Sequence, residues 1–239
     1  MTQQVRTPAS TKTRTVAVCT AVAAVAALAS GCGGKTQTES SSYEVTEKVT
    51  TLRVQGSGST IDVTAKDQGP VRVTETLRFD GTKPEATHSV RGGDLSLRAG
   101  DCGSHMGSST CAVDYRIELP RTMAVHLNSD GGDVSVRGLA GVTDVQADGG
   151  SVRAEEMTAK RFSASSGGGR VTAQFTSAPD SVRISSDGGA ATVRVPDAGY
   201  ATQLRADGGN ERSSVRTDPG STRRITIQAD GGNITLSPN

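Results

Sequence analysis

The chain has 239 residues, a net charge of +1, 33% hydrophobic residues, 3% aromatics, no tryptophan and 29 glycines. This composition excludes a large rounded core built on aromatic side chains, and without a basic stripe it excludes the electrostatic footprint of a nucleic-acid binder. It suits a thin core of Val, Ile, Leu and Ala closed by many turns.

The first element is a targeting segment, residues 1–31. Arg6, Lys12 and Arg14 precede an apolar run from Thr15 to Ala29, too short for a membrane span and of the length of a signal-peptide core. The run ends Leu28-Ala29-Ser30-Gly31-Cys32, which resembles the bacterial lipobox, with Ala29 standing where Leu is commonest. The resemblance implies that Cys32 carries acyl chains and ties the chain to membrane lipid on the outer face of the cell membrane; more than one chain is needed for firm anchoring. A plain secretory signal is the alternative. Residues 32–43 are polar and lack an apolar period, so they are expected as a lipidated cysteine followed by a flexible tether.

Residues 44–239 are expected to form one β-repeat domain. Val71, Val73, Leu77 and Phe79 share one strand face, with Glu75 an awkward member of it. Val113, Tyr115, Ile117 and Leu119 share another, opposite Asp114, Arg116 and Glu118. Cys19 falls in the signal segment. Cys102 and Cys111 are then left as a pair, and in an exported protein they are expected to close a short loop as a disulfide.

From Val125 onward a unit recurs: apolar–x–apolar–x–small–Asp–Gly–Gly–x–apolar–x–apolar. Its bends are Asp130-Gly131-Gly132, Asp148-Gly149-Gly150, Gly167-Gly168-Gly169, Asp187-Gly188-Gly189, Asp207-Gly208-Gly209 and Asp230-Gly231-Gly232, at intervals of 18, 19, 20, 20 and 23 residues. The fifth copy breaks after its bend, at Glu211. Weaker copies precede them, one at Leu52 to Val63 and one at Arg91 to Leu97. The bends are expected to use glycine for positive φ and Asp to bond backbone N–H groups two residues on. A unit of this length cannot bury its apolar face alone, so copies must stack, and the small residue before each Asp fits a cramped inner corner. The fold expected is all-β, a parallel β-solenoid of roughly 20-residue units. An antiparallel β-meander or sandwich, with Asp-Gly as hairpin turns, is the alternative.

The segment Val113-Asp114-Tyr115-Arg116-Ile117-Glu118-Leu119-Pro120, followed by apolar strands and repeated Gly-Gly turns, resembles a widespread bacterial family of adhesin-type β-strand-repeat domains. The resemblance covers about residues 45–239. It implies a solenoid-like fold and no catalytic residues.

Three chemistries compete for this scaffold. A non-catalytic, membrane-anchored surface module, binding a protein or a glycan, is the reading adopted; Arg137, Arg153, Arg183 and Arg205 are candidate surface contributors. A carbohydrate-active β-helix enzyme would need converging carboxylates. Glu155 and Glu156 adjoin, but strand neighbours face opposite ways, and they are taken as a solvated turn. His88, His105 and His126 are scattered, as are Tyr43, Tyr115 and Tyr200. A calcium-stabilised array would use the bend aspartates, but the known calcium repeat has a nonapeptide period with Asp after the glycines. No metal site and no cofactor are expected.

Overall fold

The computed structural model describes residues 36–100 and 110–239, so the signal segment, Cys32, Cys102 and His105 lie outside the described residues. The described chain is all-β, without a helix, in two mostly parallel sheets. The N-terminal block holds β1 (Gln37–Val45), β2 (Thr51–Ser57), β3 (Ile61–Lys66), β4 (Val71–Phe79), β5 (Ala86–Arg91), β6 (Asp94–Ala99) and β7 (Cys111–Pro120). The repeats follow as β8 (Ala124–Asp130), β9 (Val134–Arg137), β10 (Thr143–Ala147), β11 (Val152–Met157), β12 (Arg161–Ser166), β13 (Val171–Phe175), β14 (Ser181–Ser186) and β15 (Ala191–Val195). The C-terminal block is β16 (Ala201–Ala206), β17 (Glu211–Ser213), β18 (Arg224–Ala229) and β19 (Ile234–Pro238).

Within each repeat the strand before the glycine bend joins one sheet and the strand after it joins the other. The ten-stranded sheet runs β1-β4-β7-β3-β9-β11-β13-β15-β19-β17, and the nine-stranded sheet β16-β18-β14-β12-β10-β8-β2-β6-β5. Like residues stack over like. Val134, Val152, Val171 and Ala191 are successive partners in one sheet, and Leu127, Val145, Ala164 and Ile184 in the other. All eight are buried at 4% exposure or less, which makes a narrow seam between the sheets. Each fully buried Val, Leu or Ile contributes roughly 1.5–3 kcal/mol.

The bends align along one edge: the N–H of Asp148 bonds the Ser129 carbonyl, that of Asp187 the Ser166 carbonyl, and that of Asp230 the Ser186 carbonyl. The small residue before the bend is buried in every copy but the fifth, as its corner position requires: Ser129, Ala147, Ser186 and Ala229 are at 0% exposure, while Ala206, in the outermost strand, is only partly buried. The bend chemistry differs from expectation in two respects. Among the bend glycines only Gly131 and Gly208 have positive φ. The last glycine of each bend is needed for close approach instead, since a Cβ on Gly150 would lie 2.1 Å from the Gly132 carbonyl oxygen, and one on Gly232 2.3 Å from that of Gly189. The buried serine also takes the role expected of Asp. Ser166 Oγ accepts from the Gly169 N–H at 2.8 Å, and donates to the Gly150 carbonyl of the neighbouring repeat at 2.8 Å. The bend aspartates are exposed.

Repeat order and sequence order diverge at both ends. β18 and β19 stand between β14/β15 and β16/β17, so the last copy in the sequence is not the last in the stack. The degenerate first copy, β2 and β3, lies beside β8 and β9, with Gly56 in register with Ser129. The other weak copy is no inter-sheet bend. Gly92 and Gly93, with φ of 58° and 86°, form a two-residue hairpin turn between the antiparallel strands β5 and β6. The antiparallel arrangement holds locally there, and again where β4 pairs with β1 and β7.

β1 also revises the expected tether, because residues 37–43 are strand. Ser42 Oγ lies 2.6 Å from Thr74 Oγ1 across the pair, and Val45 reaches the core at 5% exposure. A run of serines hides a strand whose pairing surface is polar on its outward side.

Candidate functional site

The two outward faces have different chemistry. On the ten-stranded sheet from β1 to β11 the charges are spent on one another, while Arg194 on β15 and Arg212 on β17 have no ion pair among the described residues. Lys66 pairs with Glu118, Arg72 with Glu44, Arg78 with Asp114 at 2.6 Å, and Arg153 with Glu155 at 3.3 Å. The Lys66 hydrogen bond holds the Glu118 carboxyl below its ordinary range. Arg137 binds both Glu155 and, at 2.9 Å, Glu156. These two carboxylates do not face opposite ways: the register of β11 shifts between Ala154 and Met157, and Glu156 takes φ 54°, which brings both within reach of one guanidinium.

The nine-stranded sheet presents loosely held polar groups instead. Strand alternation turns Arg53 and Gln55 of β2, Ser96 and Arg98 of β6, His126 and Asn128 of β8, and Asp144 and Gln146 of β10 to one side. Together they line a shallow groove of about 240 Å³. Register aligns them in two rows across the strands: Ser96, Arg53, His126, Asp144 and Arg98, Gln55, Asn128, Gln146. Contacts within the rows are loose. Arg53 Nε is 3.4 Å from Asp94, Asn128 Nδ2 is 3.4 Å from Gln146 Oε1, and His126 Nδ1 is 4.0 Å from Asp144. Arg98 is exposed and has no ion pair among the described residues.

A second polar cluster lies inside the N-terminal end. Glu75, the awkward inner-face residue, is buried at 6% exposure, and Tyr43 Oη donates to its Oε1 at 2.7 Å. Tyr115 is its cross-strand partner, and the Tyr115 hydroxyl is buried without a hydrogen-bond partner among the described residues. Burial first, and Glu75 second, push both phenols well above the ordinary tyrosine range. The Tyr43 ring stacks on His88 of β5, with centroids 4.5 Å apart, and so bridges the edge strands of the two sheets.

The sequence-derived candidates scatter accordingly. Arg137 and Arg153 lie on the ion-paired face, and Arg183 and Arg205 on the opposite sheet, where Arg205 binds Asp207 at 2.9 Å. Cys111 opens β7 opposite Phe79. The bend residues Asp130, Asp148, Asp187, Asp207 and Asp230 share one edge, and among the described residues no group of three His, Cys, Asp or Glu side chains is arranged to hold a metal ion. Of the groove, only His126 was singled out from the sequence. The signal for the rest was the polar half of each strand alternation, which carries no period of its own.

No family model and no curated protein matches the chain. Solved structures do share its fold. A candidate cell adhesion protein from Clostridium sporogenes superposes with a TM-score of 0.51 at 13% identity, covering 86% of this chain and 100% of that one. A candidate adhesin from Bacteroides fragilis gives 0.52 at 14% identity, covering 87% and 100%. At such identities the likeness is one of fold.

Proposed function

We propose that this chain is a non-catalytic surface lipoprotein: a β-solenoid held to the outer face of the cell membrane through Cys32, with a Cys102–Cys111 disulfide, that binds a partner through the outward face of its nine-stranded sheet. The observation that carries the reading is the contrast between the two faces. From β1 to β11 one satisfies its own charges; the other holds its amides and imidazole only loosely in a groove, beside Arg98, which has no ion pair among the described residues. The solved neighbours, both described as candidate adhesion proteins, support a binding role, and the signal-like residues 1–31 with the lipobox-like Ser30-Gly31-Cys32 support export and anchoring. Hydrolysis of a glycosidic bond uses two flanking carboxyls, whereas Asp144 is the one carboxylate among the groove's lining residues.

The test is adhesion of bacterial cells displaying the full chain to surfaces coated with cell-envelope material. Asn128→Glu with Gln146→Glu should abolish adhesion, and Thr172→Glu with Thr192→Glu on the other sheet should leave it intact. The reverse pattern, or no adhesion above cells lacking the chain, overturns the binding role. Cys32→Ala should move the protein from membrane to soluble fractions; retention in the membrane overturns the anchor.

A further inference from the structure

We infer that the groove on the nine-stranded sheet takes an acidic polysaccharide with spaced carboxylates, laid along the two rows across β6, β2, β8 and β10; this rests on the reading of that sheet as the binding face.

The groove's own chemistry excludes the common alternatives. A peptide joining by strand addition needs an open edge, but each of these four strands has a hydrogen-bonded neighbour on both sides. An amphipathic helix needs an apolar lining, yet Val54, Leu97 and Leu127 lie beneath the face at 3% exposure or less. A nucleic acid needs several free cations along its path; Arg53 is engaged by Asp94, and His126 faces Asp144.

What remains is a ladder matched to hydroxyls. Side-chain amides both donate and accept, as sugar hydroxyls do. Gln55, Asn128 and Gln146 offer that pairing on three adjacent strands, spaced about 4.8 Å apart. At one end Arg98 presents a guanidinium with no ion pair among the described residues, the group best fitted to bind a carboxylate through two parallel hydrogen bonds. At the other end Asp144 repels a carboxylate and accepts from hydroxyls or an N-acetyl N–H. A chain with a carboxylate on every sugar would set one against Asp144. A chain that alternates uronate with N-acetylhexosamine meets Arg98 with its charge and Asp144 with its neutral sugar.

The experiment is calorimetric titration of the full-length protein in detergent with three probes: hyaluronate oligosaccharides (alternating), polygalacturonate (a carboxylate on each sugar) and dextran (neutral). Hyaluronate should bind tightest. Arg98→Gln should weaken it by about tenfold, in line with loss of a charge-assisted pair. Asp144→Asn should narrow the gap between polygalacturonate and hyaluronate, and Thr192→Ala on the opposite face should change nothing. Unchanged thermal melts will show that each variant is folded. Equal binding of dextran and hyaluronate, or no effect of Arg98→Gln, overturns the proposal. If none of the three probes binds while displayed cells still adhere through the nine-stranded sheet, the glycan proposal falls and the binding face stands; if adhesion also fails, both fall.

Discussion

Ala191 on β15 stands in register with Ile234 on β19, and Ile234 in turn with Glu211 on β17. The chain therefore leaves its fourth repeat, passes to the end of the stack, and returns to fill the gap with its last repeat. The break of the fifth copy at Glu211 follows from this. β17 is exposed throughout, and Leu204 of β16 is only partly buried, because these are the outermost strands of their sheets. Glu211 works as an edge cap: its Oε1 accepts from the Ala206 N–H at 2.8 Å, satisfying a backbone group at the terminal repeat.

Stability should rank accordingly. Ile227 is 1% exposed inside the inserted repeat, so Ile227→Ala should cost about 2–5 kcal/mol by transfer and cavity terms. Leu204→Ala, at the stack end, should cost well under half of that. Urea unfolding of the two variants measures it. A larger cost for Leu204→Ala than for Ile227→Ala would mean that the repeats stack in sequence order after all.

The glycine bends give a sharper contrast. Gly150→Ala drives a methyl into the Gly132 carbonyl at 2.1 Å, backbone against backbone, and should cost about 1–3 kcal/mol or more. Gly168→Ala, the middle glycine of its bend, meets nothing nearer than 3.5 Å and has no positive φ, so it should be neutral or stabilising by up to about 1 kcal/mol. Similar losses at both sites would contradict the close-approach account and restore the conformational one.

The serine ladder sets its own bound. Ser166→Ala removes the hydroxyl that bridges Gly150 and Gly169, yet the bends after Ala147 and Ala229 are built without one. The loss should therefore be about 1 kcal/mol, that of an ordinary hydrogen bond, read as a lower urea midpoint. A loss of several kcal/mol would show that the bends are not interchangeable.

What the sequence disclosed was local: the period of two, the small corner residue and the bends. Each follows from a side chain and its immediate neighbours. Repeat order was hidden because an apolar–x–apolar strand fits any level of the stack, and only the break at Glu211 marked the end. The strand over residues 37–43 was hidden because its serines and Thr38 carry no apolar alternation until Tyr43. The reason for the second glycine was hidden because close approach belongs to two repeats at once. The groove was hidden for a similar cause: Gln55, Asn128 and Gln146 become a row only when β2, which is distant in sequence, takes its place beside β8.

Glu75 divides its two tyrosines. Tyr43 donates to it, whereas the Tyr115 hydroxyl has no partner among the described residues. Tyr43→Phe should cost about 1–3 kcal/mol, because a buried carboxylate oxygen loses its donor. Tyr115→Phe removes a buried, unsatisfied group and should be neutral or stabilising. A larger loss from Tyr115→Phe in chemical denaturation would mean that its hydroxyl, and not that of Tyr43, holds Glu75.

The same cluster sets an alkaline limit. Burial and the Glu75 charge raise both phenol pKa values above the unfolded value of about 10. Below that pH both states keep the phenolic proton, and the stabilising difference is fully present. As pH rises past about 10 the unfolded chain releases protons that the fold retains, so stability falls with pH. Denaturant midpoints from pH 8 to 11.5 should show this decline. The Tyr43→Phe, Tyr115→Phe double variant should start lower but decline less steeply, since it has lost two of the linked protons. Parallel curves for the two proteins would mean that these phenols ionise as freely in the fold as in the open chain, and that the end of the stack closed by Tyr43 and His88 admits water to Glu75.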